Sequence, residues 1–394
     1  MLRTTPFLWM VLLFVLGGGG MKLMAQDLPN AGYDTSRYHP LFIQSDDGKY
    51  SLNIGLYTQF RYNATYQSDM PDSVPDFSRG YNLARTRIFF EGNLTDKFYY
   101  HTRVNVNPIG NFELIAAYLQ WNINKKMWLR MGRQFMALGR EDWMYPQDLA
   151  AVEFSANDFT YAIWSSFGFQ FRHVTGDKFR YYLSVGNGAY GGRQGFPAPK
   201  ATDVTVIGRG EVNLIGEGWG NWDDMTSRPG RDFGLLLGFS AGHSQRQEEG
   251  LGVSEFKDAT QLNVDLSAAG NGFHVYLWGT MTMRNYLNDA YDNTVNGVYA
   301  TAGYWFDDRW FGYARFDYVG KGDFQFASED YVSPGAGISF YPFHWTNRTR
   351  FTLEYNLLTS TITNTIVAPD GQLGWTDSPY GGQQTVRLQI QFGF

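Results

Sequence analysis

The chain has 394 residues, 18% of them aromatic and 18% charged, with 45 glycines, no cysteine and a formal net charge of −6. This acidic balance argues against nucleic acid as a partner, and the lack of cysteine excludes a disulfide framework. After the first 25 residues no apolar run approaches the roughly 20 residues that a membrane-spanning helix needs, which excludes a helical membrane protein.

In chain order, residues 1–25 read as a signal peptide. Arg3 gives the positive start, Phe7 to Leu16 the apolar core, and Leu23-Met24-Ala25 the cleavage site before Gln26, although Leu23 is larger than usual there. A retained anchor is the alternative, disfavoured by the short apolar run. Loss of Arg3 and Lys22 on cleavage takes the net charge from −6 to −8. Residues 26–50 carry Pro29, Gly32, Pro40 and Asp46-Asp47-Gly48 without apolar period and read as an irregular leader.

From Ser51 the pattern becomes strictly alternating, and residues 51–394 form one barrel domain. Leu52, Ile54, Leu56, Phe60, Tyr62 and Tyr66 share one face, opposite Asn53, Tyr57, Gln59, Arg61 and Thr65. Ala84, Ile88 and Phe90 then oppose Arg85, Arg87 and Glu91, and Thr95-Asp96-Lys97 turns into a strand from Phe98 to Val106. The hairpin recurs: Ile115 to Ile123 with Trp128 to Arg133, Phe167 to Phe171 with Phe179 to Val185, Val204 to Leu214 with Phe233 to Ala241, and Leu262 to Leu266 with Phe273 to Leu277. Two more pairs, Val298 to Phe306 with Trp310 to Tyr318 and Ala336 to Phe340 with Phe351 to Leu357, precede the terminal strand. The total is about sixteen strands, with fourteen or eighteen as the alternatives, an even number with short turns on one side and longer polar loops on the other, as in bacterial outer-membrane barrels. About 370 mature residues then leave roughly 23 per strand, enough for a crossing with its share of turn and loop.

The fold class is therefore an all-β transmembrane antiparallel barrel of the bacterial outer membrane, with lipid as its surroundings. Val386, Leu388, Ile390, Phe392 and Phe394 alternate with polar residues and read as the closing strand, paired with the one beginning near Ser51. An edge strand of a soluble sandwich is the alternative for that segment alone. Its terminal Phe392 and Phe394 resemble the signal that the barrel-assembly machinery recognises. Tyr99, Tyr100, Trp128, Tyr181, Tyr182, Trp305, Trp310, Tyr341 and Trp345 flank turns and read as interfacial girdles.

The longest aromatic connection runs from Phe135 to about Tyr161, and Arg140, Glu141, Asp142 and Asp148 are its candidate constriction residues if it folds inward. Packing outside the barrel on its own aromatics is the alternative. Eleven arginines fall on the inward parity: Arg61, Arg85, Arg87, Arg103, Arg130, Arg172, Arg180, Arg209, Arg315, Arg350 and Arg387. On the lipid face each would cost about 2 to 4 kcal/mol near the midplane. Inside, they line a path for anions, or pair with Glu91, Glu113, Glu211, Asp265, Asp317 and Glu354 on the wall or its rims, leaving little selectivity. Arg133 falls on the outward parity, at a rim or a subunit interface.

Several short stretches, in order, resemble the phosphate-selective porin O and P family. They are Arg85-Thr86-Arg87-Ile88-Phe89-Phe90-Glu91-Gly92, Ala117-Tyr118-Leu119, Leu129-Arg130-Met131-Gly132-Arg133, Leu138-Gly139-Arg140-Glu141, Tyr182-Leu183-Ser184-Val185-Gly186-Asn187-Gly188 and Gly312-Tyr313-Ala314-Arg315-Phe316-Asp317-Tyr318, followed by the terminal Phe394. The resemblance implies a sixteen-stranded homotrimeric porin with an inward-folded third loop and an anion path that includes Arg85, Arg87, Arg130 and Arg140. The chain departs from the family in its long loop, where one arginine faces Glu141, Asp142, Asp148 and Glu153.

The function expected is passive diffusion of small hydrophilic solutes with an anion, phosphate-like preference and no cofactor. A structural or adhesion barrel with a plugged lumen is the second reading. A hydrolase is the third and weakest, because the six histidines are scattered and no Gly-x-Ser-x-Gly occurs.

Overall fold

The computed structural model describes residues 41–67, 77–106, 112–136, 138–187, 202–246, 256–286, 293–321, 330–343, 346–361, 373–376 and 382–393. The signal peptide, most of the leader, Trp345 and Phe394 lie outside these residues.

Alternation with period 2 produces long antiparallel strands, each paired with its neighbour in sequence. They are β1 (Leu41–Gln44), β2 (Ser51–Gln67), β3 (Phe77–Asn93), β4 (Phe98–Val106), β5 (Phe112–Asn124), β6 (Met127–Phe135), β7 (Ser165–Thr175), β8 (Phe179–Gly186) and β9 (Thr202–Ile215). The series continues with β10 (Gly234–Arg246), β11 (Phe256–Gly270), β12 (Phe273–Tyr286), β13 (Asn293–Trp305), β14 (Trp310–Val319), β15 (Tyr331–Phe340), β16 (Arg350–Leu358) and β17 (Gln383–Gly393). Strands β2 to β17 form a closed barrel of sixteen, because β17 returns to β2 with Gln389 opposite Arg61 and Phe392 opposite Thr58. Closure leaves no open edge in the hydrocarbon layer.

β1 corrects the reading of 26–50 as wholly irregular. It takes the edge of β2 beyond the reach of β17, with Phe42 opposite Asn53. Backbone groups of β2 that β17 does not cover are thereby paired.

The burial pattern is inverted relative to a soluble sheet. Leu388, Ile390 and Phe392 are 48%, 41% and 45% exposed, whereas Gln389 and Gln391 beside them are 2% and 0% exposed. Comparable apolar residues stand outward around the barrel, including Leu183, Val264, Leu277, Val298 and Leu353. In water this belt would be unfavourable by about 25 cal/mol per Å². In lipid it is matched, which places the chain in the outer membrane.

Two bulges shift the expected parity. Gln59 pairs with Arg85 but Phe60 pairs with Leu83, so Leu83 rather than Ala84 stands outward. Arg103 pairs with Ala116 but Val104 pairs with Leu114, which leaves Ile115 buried and Leu114 outward. An extra residue reverses which face its neighbours take, and sequence alternation alone does not register it.

The tight turns lie on the side where β17 ends. Between β11 and β12 the turn is Asn271-Gly272, with φ of +42° and +89°, the left-handed pair that a two-residue hairpin requires. The longest connection on this side is 216–233 between β9 and β10, which contains a short 3-10 helix, Gly220–Trp222; residues 341–349 between β15 and β16 are also longer than a tight turn.

The apolar core lies inside the barrel. Leu149, Ala150, Ala151 and Phe154 of the connection between β6 and β7 pack with Met225 and with the inward-facing Tyr276, Trp278, Tyr299, Trp305, Phe311, Tyr313 and Tyr341. Trp305 and Tyr341 were expected in the girdles, as were Trp128 and Tyr182, but all four point inward and are buried. They sit on the inward parity, and proximity to a turn does not determine the face. Trp310, on the outward parity, is exposed.

Candidate functional site: the lumen and its arginines

The connection between β6 and β7 is the third on the long-loop side, and it folds into the barrel. Its residues 138–164 are held by side chains from opposite parts of the wall. Arg61 of β2 donates to the Val152 carbonyl at 3.2 Å, Arg315 of β14 to the Glu153 carbonyl at 2.9 Å, and Arg350 of β16 to the Leu149 carbonyl at 2.7 Å. Arg209 of β9 and Ser240 of β10 both donate to the Leu138 carbonyl, at 2.6 and 3.0 Å. Carboxylates grip the backbone N–H groups: Val152 donates to Glu354 at 3.1 Å and Ala156 to Asp317 at 2.8 Å. A buried loop requires such partners, since each unsatisfied backbone group costs about 1–3 kcal/mol.

Within the loop, helix α1 (Ala156–Tyr161) starts at Ser155, whose hydroxyl oxygen accepts from the Asp158 N–H at 2.9 Å. The helix lies against β13 at Gly297, where a Cβ would collide with Asn157 and Tyr161. Ser155 in turn donates its hydroxyl to Glu141 at 2.6 Å and its N–H to the same carboxyl at 3.0 Å. Asp142 accepts from the Gly139 N–H at 2.8 Å.

The four expected constriction residues therefore divide. Arg140 and Asp148 line the open part of the lumen, whereas Glu141 and Asp142 face the loop's own backbone. Burial pushes the Glu141 carboxyl up to about 8 against the pull of its Ser155 hydrogen bond, and burial likewise raises Asp142 to about 6. Burial also acts to raise Glu153, but Arg85 and Arg61 outweigh it and hold that carboxyl down to about 2.

The connection 216–233 enters from the opposite mouth and meets this loop. Arg140 donates to the carbonyls of Trp222 at 3.0 Å and Asp224 at 2.9 Å, and the Met225 N–H donates to the Asp148 carbonyl at 2.9 Å. Thr226 accepts from the Trp305 indole N–H at 2.7 Å. Sequence reasoning missed this second inward segment. Its signal was the length between Ile215 and Gly234 at a place where neighbouring turns take only a few residues.

The eleven inward arginines fall into two groups. Seven are tied to carboxylates or loop carbonyls. Arg61 and Arg85 hold Glu153, Arg180 and Arg209 hold Glu211, Arg315 pairs with Asp317, Arg387 pairs with Glu354, and Arg350 holds carbonyls. The other four lie over aromatic rings: Arg87 at 5.9 Å from Tyr57, Arg103 at 3.8 Å from Tyr145, Arg130 at 4.2 Å from Trp128 and 4.6 Å from Tyr118, and Arg172 at 5.2 Å from Trp128. The outward-parity Arg133 is buried within its own chain, where its Nε donates to the Ser165 hydroxyl at 3.1 Å and its guanidinium lies over Phe167.

Between the wall β2–β9 and the third loop remains a cavity of about 280 Å³. Arg103, Arg130, Arg172 and Arg180 line it together with Tyr57, Tyr99, Tyr118, Trp128, Trp143, Tyr145, Tyr182 and Trp222. These aromatic members were not among the expected site residues. His101, at 2.9 Å from Glu91, and the Tyr99 hydroxyl, at 2.6 Å from the same carboxyl, occupy the end of the cavity toward the short turns.

No family model and no curated protein sequence matches the chain. Solved structures do. An anion-selective porin from Comamonas acidovorans superposes with a TM-score of 0.58 at 11% identity, covering 87% of this chain and 100% of the other. OmpF of Salmonella typhi, in complex with daunomycin, gives 0.56 at 11% identity over 89% and 99%. The trimer form of OmpT from Vibrio cholerae gives 0.50 at 14% identity over 86% and 99%. At such identities the likeness is one of fold. The chain has the sixteen-stranded fold of bacterial outer-membrane porins, with part of its interior filled by its own third loop and by the connection 216–233.

Proposed function

We propose that the protein is a passive outer-membrane channel for small hydrophilic solutes with a preference for anions, assembled as a homotrimer. The observation that carries the reading is the group Arg87, Arg103, Arg130 and Arg172, whose guanidinium groups lie over rings while seven other arginines hold carboxylates or loop carbonyls. These four guanidinium groups concentrate positive charge on this side of the lumen, so it favours negative solutes. The trimer rests on the resemblance to the phosphate-selective porin O and P family and on the trimer form of the Vibrio cholerae neighbour. Phosphate is the narrowest form of the reading.

Reversal potentials in planar bilayers under asymmetric chloride and phosphate gradients test it. Anion preference is expected, and cation preference would overturn it. The second reading, a plugged structural barrel, is favoured by the extent to which the third loop and residues 216–233 fill the lumen. A folded trimer that never conducts would decide for that second reading.

A further inference from the structure

Strand register builds one end of the cavity as an aromatic and cationic row. Trp128 on β6 lies directly opposite Arg172 on β7, and Arg172 lies directly opposite Tyr182 on β8. Arg130, two residues from Trp128 on the same face, packs its guanidinium between Trp128 and Tyr118. The third loop closes the row from within, since Trp143 meets Tyr182 edge-on with ring centroids 4.3 Å apart.

The polar side-chain atoms of Trp128, Arg130, Trp143 and Arg172 are all donors, and the Tyr118 and Tyr182 hydroxyls can also accept. Among the described residues, the indole N–H of Trp128, a side chain 3% exposed, has no hydrogen-bond partner, and neither has the buried indole N–H of Trp143 or the Nε–H of Arg172. Buried donors without acceptors are costly, by about 1–3 kcal/mol each, and the side chains that carry them line the cavity. Two guanidinium groups add positive charge at the same place. An occupant that balances the row brings acceptors and negative charge at one end and a flat apolar body at the other.

We propose that this row is a binding station for a small planar organic anion, an aromatic carboxylate. Its carboxylate would meet Arg130 and Arg172, and its ring would stack among Trp128, Trp143 and Tyr182. The cavity, at about 280 Å³, lies just below the usual range for ligand pockets, which is roughly 300–1,000 Å³, so the station takes one such solute at a time. The inference rests on reading the cavity as part of a solute path.

The test is isothermal titration of the folded, detergent-solubilised protein with benzoate, inorganic phosphate and benzyl alcohol at constant ionic strength. Benzoate is expected to bind saturably and at least tenfold more tightly than either of the others. Trp143→Phe, on the loop and outside the barrel wall, is expected to weaken benzoate about threefold, and Arg172→Gln at least tenfold. Phosphate binding as tight as benzoate would show that charge alone acts, and would overturn the proposal. No saturable benzoate binding, or unchanged affinity in Arg172→Gln, would overturn it as well. Because the titration needs no conductance, the two readings separate. A barrel that conducts anions without binding benzoate keeps the channel and loses the station, and one that binds without conducting does the reverse.

Discussion

Glu153 and Arg61 meet inside the barrel at 3.1 Å, with both side chains fully removed from solvent. Arg85 grips both oxygens of the same carboxylate, so two cations from adjacent strands pin one point of the third loop. Breaking a buried ion pair by removing one partner costs about 3–5 kcal/mol, because the remaining charge is left without compensation. Glu153→Gln is expected to lower barrel stability in urea by about that amount and to increase current fluctuation as the loop loosens. Unchanged unfolding together with quiet current would show that the pair does not anchor the loop.

The acid dependence of this anchor follows from the direction of the shift. Glu153 is depressed to about 2 in the folded protein, against about 4.3 for an ordinary glutamate. Its contribution is therefore complete above about pH 4.3 and disappears as pH falls toward about 2. Limited proteolysis within 138–164 should rise below about pH 4 in the parent and not in Glu153→Gln, on top of the slope that Glu141 and Asp142 impose at higher pH. The same rise in Glu153→Gln would point to another group.

Glu141 has the opposite sign. Burial raises it to about 8, so it is mainly protonated at neutral pH, and the stability linked to that protonation is lost as pH climbs from about 4.3 through about 8. Glu141→Gln is expected to leave stability at pH 7 within about 1 kcal/mol and to make the variant relatively more stable at pH 9, because the amide has no charge to bury. Urea titrations at both pH values measure this, and a large loss at pH 7 would contradict it.

The clasp between the two inward segments depends on Arg140. Its Nη2 serves two carbonyls, those of Trp222 and Asp224, and hydrogen bonds from charged groups contribute about 1.5–3 kcal/mol each. Arg140→Ala should free the connection 216–233 from the loop and raise single-channel conductance without preventing barrel closure. Conductance equal to that of the parent would mean that the clasp does not limit flow.

Outward residues of β17 are expected to govern assembly. Phe392→Asp exchanges a lipid-facing ring for a charge, and Phe394→Asp introduces a charge at the residue read from the sequence as the assembly signal. Lipid-face charges cost up to about 2–4 kcal/mol at the midplane and less near the interface. Less heat-modifiable, folded barrel in outer-membrane fractions is the expected result; wild-type yield from both variants would remove these residues from that role.

The alternation from Ser51 onward determined the strands, their order, which face meets lipid and the seam between β17 and β2. It did so because side-chain direction has period 2 and a lipid belt tolerates no arginine near its middle. The inward parity of all eleven arginines was legible for the same reason. Their partners were not. Arg61 meets a loop residue 92 positions away and a glutamine 328 positions away, and nothing local in the sequence encodes such distances. Only the closed barrel brought Glu153 between Arg61 and Arg85, turned Glu141 back on Ser155 and left Arg130 and Arg172 on their rings. It also drew 216–233 inside, where Met225 joins the apolar core and Arg140 finds its carbonyls. Local pattern fixes which way a side chain points, whereas the partner it finds there depends on what the folded chain places opposite it.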